Sequence, residues 1–427
     1  MKTLISRIIL CLSLAAICCA GVQAQKLSAE ERKIVSYIDA HQAEAIAFLE
    51  KIVNIESPTE NLAGVRQVGM AFKQELDALG MAAQWLDMPP EMKRAGHLAA
   101  ETSGLKGKRV LLIAHIDTVL KGEKFRRDGA RAYGTGISDM KGGAVVLLYA
   151  LKALHAAGAL KDASIKVMYT GDEENAGQPL SASRGDMVAM ARKSDLALSF
   201  EPAIRNTATV GRRGASTWTL EVAAKTGHSG QIFREQMGSG AIFEASRILH
   251  EFYEALHTEK YLTFNPSVFV GGTTAELKDA TGTATGKSNV VPAKVIVKGD
   301  LRFISEEQKA TARARMQTIV AHNLPGTTAK ITFEDGYPAM TPTAGNYELL
   351  KKLNEVSRDL GSGALEALDP ADRGAGDIGF ISHMLPALDG IGGASGGNSH
   401  APGEWAELEP TPMLIKRAAL LIYRLTR

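Results

Sequence analysis

Four clusters of acidic or imidazole residues in this sequence follow strand-like segments, and that pattern restricts the fold more than any other feature. Val110-Leu111-Leu112-Ile113-Ala114 runs into His115-Ile116-Asp117. Asp139 lies in the glycine-rich stretch from Gly134 to Gly143, just before a helical pattern. Val167-Met168-Tyr169-Thr170 leads into Gly171-Asp172-Glu173-Glu174, and Leu196-Ala197-Leu198-Ser199-Phe200 leads into Glu201-Pro202. Open α/β sheets bind ligands outside the carboxyl ends of their strands. The four clusters are therefore expected to meet in one crevice, joined by His400 from the glycine-rich loop Gly392 to His400.

The surrounding periodicity supports such a sheet. Apolar residues at helical spacing mark helices over Ile34 to Val53, broken near His41, and over Leu62 to Leu79. Ser28 and Glu31 form an expected capping box at the first. Strands over Arg109–Ile116, Ile165–Thr170 and Leu196–Phe200 alternate with helices over Gly142–Ala157 and Asp186–Arg192. The fold class is therefore α/β, a sheet covered by helices on both faces.

From about Arg213 the order becomes strand-helix-strand-strand-helix-strand. The strands fall at Thr217–Ala223, Ser267–Gly271, Lys294–Phe303 and Ala329–Glu334, and the helices at Gly240–Leu256 and Ser305–His322. Ser305 and Gln308 suggest a second capping box. This is the order of a split βαβ sandwich, an inserted α+β two-layer domain. Helices at Tyr347–Leu360 and Met413–Leu425 resume the first pattern. A chain of 427 residues exceeds one ordinary core. The expected division is a catalytic domain over 25–212 and 338–427, with the inserted domain over 213–337.

The amino terminus reads as a secretory signal over 1–24. Lys2 and Arg7 precede an apolar run from Ile8 to Ala20, and Val22-Gln23-Ala24 offers small residues for cleavage. The run is short of the roughly 20 residues that span a bilayer. Cys18 and Cys19 raise a lipoprotein alternative, but the residues before them fit a lipidation signal poorly. Cys11, Cys18 and Cys19 are the only cysteines, so the mature chain has neither disulfide nor thiol nucleophile. Loss of Lys2 and Arg7 takes the net charge from +2 to about zero, which argues against nucleic acid or an anionic membrane as partner. The expected location is secreted, or periplasmic in a Gram-negative cell.

Several carboxylates converging in a crevice repel one another and resist desolvation. Bound divalent cations relieve both problems, and imidazoles mixed with carboxylates suit zinc. His115 and Asp117 lie two apart on a strand, so Asp117 is placed to orient the imidazole. Glu173 and Glu174 are adjacent and point apart, so one can ligate while the other faces the attacking water. Histidines 41, 97, 155, 250, 257, 322 and 383 are read as structural.

The segments His115-Ile116-Asp117-Thr118, Ser138-Asp139-Met140-Lys141-Gly142-Gly143, Asp172-Glu173-Glu174 and Ser199-Phe200-Glu201-Pro202 resemble the dinuclear zinc carboxypeptidase and aminoacylase family, which includes bacterial glutamate carboxypeptidase. The resemblance covers nearly all of the mature chain. It implies two zinc ions per subunit, with Asp139 bridging, His115 and Glu201 on one, Glu174 and His400 on the other, and Glu173 as general base. It implies that the insert serves as lid and dimerisation domain of a homodimer, where His228 reaches the partner's active site. Asn289, Arg302 and Gly376 would bind the substrate. The expected activity is a carboxypeptidase acting before a C-terminal amino acid, with glutamate the expected residue. The alternatives are an N-acyl amino acid deacylase or a dipeptidase on the same site, and, from another class, a solute-binding protein that has no catalysis. The sequence departs from the glutamate-specific pattern at Asp335-Gly336-Tyr337-Pro338, where an arginine is expected before the proline. Arg212 and Arg213 are candidates to replace it.

Overall fold

The computed structural model describes residues 27–278 and 281–427. The leader expected over 1–24 lies outside them. Six strands form the large sheet in the order Ala82–Leu86, His97–Glu101, Ala163–Thr170, Lys106–His115, Leu196–Ser199, Ala387–Leu388. The strand Lys106–His115 runs parallel to both neighbours, and the first two strands join antiparallel, so the sheet is mixed. The parallel strands carry His115, Thr170 and Ser199 to the same sheet end, as the clustering of acidic residues requires.

The central strand shows why the sheet has two covered faces. Val110, Leu112 and Ala114 pack with the helices Gly142–Ala156 and Thr411–Leu425. Leu111 and Ile113 point the other way, onto Met187, Ala191, Ile378 and Ile381. Alternate side chains leave opposite faces of a strand, so an unbroken apolar run is what a doubly covered strand needs. The expected helices form within a few residues of their predicted ends, from Ala29–Ala40 to Thr411–Leu425. The Ser28–Glu31 capping box is complete, and the break at His41 separates two helices.

Residues 214–335 form an antiparallel four-stranded sheet with the order Thr263–Gly272, Lys294–Phe303, Gly214–Ala224, Thr327–Asp335. The helices Ala241–Leu256 and Glu306–Ala321 cover one face, where Trp218, Leu220, Phe252, Val297 and Met316 form a separate apolar core. The second capping box is only half made. Ser305 caps Gln308 N–H, but the Gln308 side chain accepts from Ile304 rather than from Ser305.

Several elements escaped the sequence reading, among them the large-sheet strands Ala82–Leu86, His97–Glu101 and Ala387–Leu388. A threonine-rich hairpin, Thr274–Lys278 with Thr281–Thr285, was also missed: its second strand is wholly exposed, and its first turns in only Ala275 and, in part, Leu277. Another is a small sheet of very short strands, Gly396–Gly397, Trp405–Glu407, Arg131–Tyr133 and Arg126–Asp128. It fastens the His400 loop beside the loop that carries Asp139. Among the described residues no helix is long and apolar enough to cross a membrane.

Candidate active site

The five expected ligands meet at the carboxyl end of the large sheet. His115, Asp139 and Glu201 present donor atoms within 4.8 Å of one another, and so do Asp139, Glu174 and His400. Asp139 belongs to both triads. Its Oδ1 lies 3.3 Å from His115 Nε2 and its Oδ2 lies 3.2 Å from His400 Nε2. Glu174 Oε2 lies 3.1 Å from the same His400 nitrogen. Glu173 stands beside both, with Oε2 4.0 Å from His115 Nε2. His115, Glu173 and Glu174 form a third close donor group, so Glu173 is near enough to the cations' place to face them.

Local structure explains how the loop of Asp139 is shaped. Gly136 has φ 78, a left-handed conformation, and a Cβ there would sit 2.5 Å from Thr118 Cγ2. Gly143 opens the following helix against the strand that leads to Glu201, where a Cβ would fall 1.8 Å from the Phe200 carbonyl oxygen. Side chains at either position would push the two ligand-bearing segments apart.

Asp117 is fully buried and does more than the spacing suggested. Its Oδ1 is 3.4 Å from His115 Nδ1, consistent with orienting the ring. Its two oxygens also accept the N–H groups of Glu173 at 3.1 Å and Glu174 at 3.0 Å, while Thr59 donates to it at 2.7 Å. One carboxylate thus holds the first and third clusters together.

The titration behaviour shows a site with excess negative charge. Burial pushes the Glu173 carboxyl well above its ordinary value; His115 opposes the shift, and Glu201, Asp377 and Glu174 add to it. Burial raises Glu174 to about 7 against a hydrogen bond from His400. Glu201 is likewise raised by burial, with Arg212 opposing. Burial works against charge on Asp139, but the bonds to His115 and His400 outweigh it and hold the carboxyl below its usual range. Hydrogen bonds to Asp139 and then Glu174 raise His400 to about 10. Burial disfavours a charged His115, yet Asp117 and Asp139 outweigh it and raise its pKa well above normal. Two imidazoles and three carboxylates in these overlapping triads fit a pair of divalent ions of borderline softness.

Three site residues carried no sequence signal strong enough to be singled out. Glu404 accepts the N–H groups of Gly136 at 2.7 Å and of Ser138 and Asp139 at 2.9 Å each, so a buried carboxylate pins the Asp139 loop. Its place four residues after His400 is the only hint. Tyr337 Oη donates to the Glu173 carbonyl and rests against Phe380. Arg184, 1% exposed, joins Asp172 at 2.6 Å to Asp377 at 2.7 Å and supports the turn before Glu173.

The expected substrate binders are placed differently. A cavity of about 500 Å³ opens on the ligand cluster, and neither His228, Asn289 nor Arg302 lines it. His228 is exposed, accepts from Gly230 N–H at 3.1 Å and bridges to Val290, next to Asn289. Arg302 pairs with Asp300 at 2.9 Å on the four-stranded sheet. Gly376 follows the lining residues Gly374 and Ala375 and packs against Arg212. Arg213 contacts Thr263 and the Ala371 carbonyl, away from the cavity. Arg212 does line it, but its nitrogens are spent on Gly374 O at 2.7 Å, Asp389 at 2.8 Å and Ala375 O.

With this geometry in view, the comparison with known proteins is decisive at the level of family. The model of peptidase family M20/M25/M40 matches residues 111–424. The chain belongs to this family. It is a metallopeptidase, a hydrolase acting on peptide bonds, and not a binding protein without catalysis. It is 28% identical to Carboxypeptidase G2 of Pseudomonas sp. (strain RS-16), over 96% of each chain. It is 26% identical to a succinyl-diaminopimelate desuccinylase of Delftia acidovorans, over 64% of this chain and 72% of that one. Its fold matches the crystal structure of an aminopeptidase from Bacillus cereus with a TM-score of 0.72 at 15% identity, covering 90% of this chain and 99% of the other.

Proposed function

We propose that this chain is a secreted, zinc-dependent carboxypeptidase that hydrolyses the amide bond before a C-terminal amino acid, with glutamate the favoured residue. One observation carries the reading: two donor triads share Asp139, and Glu173 stands beside both. In this reading His115, Asp139 and Glu201 hold one zinc ion, and Asp139, Glu174 and His400 hold a second. When bound there, the two ions supply Lewis acidity that polarises the scissile carbonyl and lowers the pKa of the attacking water. Glu173 takes the proton of that water and returns it to the leaving amine nitrogen. Burial favours the protonated form of the Glu173 carboxyl, which suits a group that takes up a proton and passes it on. Asp117 holds the His115 ring.

Residues 25–212 with 338–427 form the catalytic domain of this proposal, and 213–337 the lid and dimerisation domain. Asn289 and Arg302 bind the free carboxylate when the lid closes, and Gly376 offers a backbone contact. His228 of a second copy stabilises the oxyanion. A homodimer is supported by Phe233, Ile242, Phe243, Tyr253 and Phe269, large apolar residues left exposed on the inserted sandwich. The likeness to Carboxypeptidase G2 supports the carboxypeptidase reading. The desuccinylase relative favours a second reading, deacylation of N-acyl amino acids on the same site.

Glu173→Ala tests the assignment of the base. Zinc content should remain at two per subunit while turnover falls by roughly 10²–10⁴-fold. Near-normal turnover would sink it. A panel of N-acyl glutamate, N-acyl aliphatic amino acids and dipeptides separates the two readings.

A further inference from the structure

The wall of the cavity holds a cation in no close ion pair. Arg373 lines the cavity together with Arg205, Ser395 and the ligand cluster. Its Nη2 donates to the Pro202 carbonyl at 2.5 Å, and its buried Nε has no hydrogen-bond partner. Among the described residues it makes no ion pair with a carboxylate. Arg212, the neighbouring cation, is neutralised by Asp389 and Glu201. The carboxylates of the cavity floor are already committed to the two triads and to Glu173. A buried guanidinium with no carboxylate in contact is costly to desolvate, and an incoming anion relieves that cost.

The next segment repeats the pattern. Arg205 is an exposed, non-glycine residue at φ 49, a conformation that such residues rarely adopt. Its backbone N–H is held by Ser395 Oγ at 2.9 Å, and Ser395 Oγ itself donates to the Ala203 carbonyl at 2.7 Å. The turn presents Arg205 on the same wall as Arg373. Backbone strain of this kind is retained where the surrounding structure fixes it, often at ligand-binding segments.

We propose that Arg373, with Arg205 beside it, forms an anion subsite, and that the substrate carries a carboxylate that seats there in addition to the carboxylate of its free terminus. This deepens the reading proposed above and rests on it. It also supplies a cation on the catalytic side of the cavity where the arginine expected before Pro338 is absent. The carboxylate lies either on the leaving amino acid, as in an acidic residue, or on the acyl part, as in a dicarboxylic half-amide. Arginine serves both through two parallel hydrogen bonds.

Two matched substrate pairs distinguish these sources. N-acetylglutamate is compared with N-acetylglutamine, and N-succinyl-leucine with N-butyryl-leucine, on zinc-loaded protein. The acidic member of one pair should be favoured by roughly 10–100-fold in kcat/KM, the worth of a charge-assisted bond. Arg373→Gln should remove most of that preference while changing the neutral member by less than about twofold, and Arg373→Lys should restore part of it. If Arg373 is only a strut for the Pro202 carbonyl, the variant lowers both members alike, and the proposal is overturned. No preference in either pair overturns it as well. Should Arg373→Gln fail to fold, or should no panel member be hydrolysed, calorimetry on the wild-type zinc protein decides. Glutarate must bind at least tenfold more tightly than its monoamide, and equal affinity refutes the subsite. Hydrolysis of no substrate at all counts against the carboxypeptidase reading, and the calorimetric result then judges the subsite separately.

Discussion

Replacing Glu404 by glutamine tests whether the Asp139 loop is held from the far end of the chain. The native carboxylate accepts three backbone N–H groups, from Gly136, Ser138 and Asp139. The amide keeps one acceptor oxygen and turns an NH₂ toward the remaining donor. At least one charge-assisted bond is lost, worth about 1.5–3 kcal/mol, and one buried N–H is left unsatisfied at about 1–3 kcal/mol. Burial already raises the Glu404 pKa, so part of the native gain is offset by desolvation. A net loss of about 2–4 kcal/mol in unfolding free energy is expected, read by urea denaturation of the metal-free protein. Because Asp139 is common to both triads, zinc affinity should fall about 10–100-fold, measured by competition with a chelator. Activity should recover when zinc is raised in excess, since the chemistry of Glu173 is untouched. Unchanged zinc affinity, or activity lost irrecoverably at saturating zinc, would refute the idea that Glu404 acts through the loop.

Tyr337→Phe removes the hydroxyl that donates to the Glu173 carbonyl, with kcat expected to fall about tenfold while zinc content stays constant; a change in KM alone would argue against a role in placing the base. Gly143→Ala should cost about 3 kcal/mol or more, because its Cβ meets the Phe200 carbonyl at 1.8 Å, and a thermal midpoint within a degree of wild type would contradict the packing described. In metal-free protein the raised His400 pKa stabilises the fold fully below its ordinary value near 6.5, and that contribution is lost as pH rises through about 10. Zinc binding should therefore release protons at pH 7, seen as a dependence of the calorimetric heat on the buffer's ionisation enthalpy. Buffer-independent heats would contradict it.

The parts of this protein legible from its sequence are those that local pattern determines. Val110 to Ala114 had to be a doubly covered strand because every residue in it is apolar, and the motifs at the strand ends had to converge because parallel strands share a direction. That accounts for the meeting of His115, Glu173, Glu174 and Glu201, whereas Asp139 and His400 arrive on loops beside the small sheet. The strand Thr281–Thr285 was not legible in this way, since a strand with no buried face leaves no periodic trace.

The tertiary structure decided which buried charge meets which partner. Glu404 and Ser138 are 266 positions apart, and Arg184 and Asp377 are 193 apart. No spacing rule reaches across such distances, because the contact depends on how short strands and loops pack rather than on any repeat. The same holds for Arg212 and Arg373, two arginines in unremarkable surroundings of sequence. One pairs directly with Asp389, and the other lines the cavity with no carboxylate in ion-pair contact. Strand patterning places the carboxylates at the sheet end, but the electrostatic balance around them is set by long-range packing in a medium where an unpaired charge is costly.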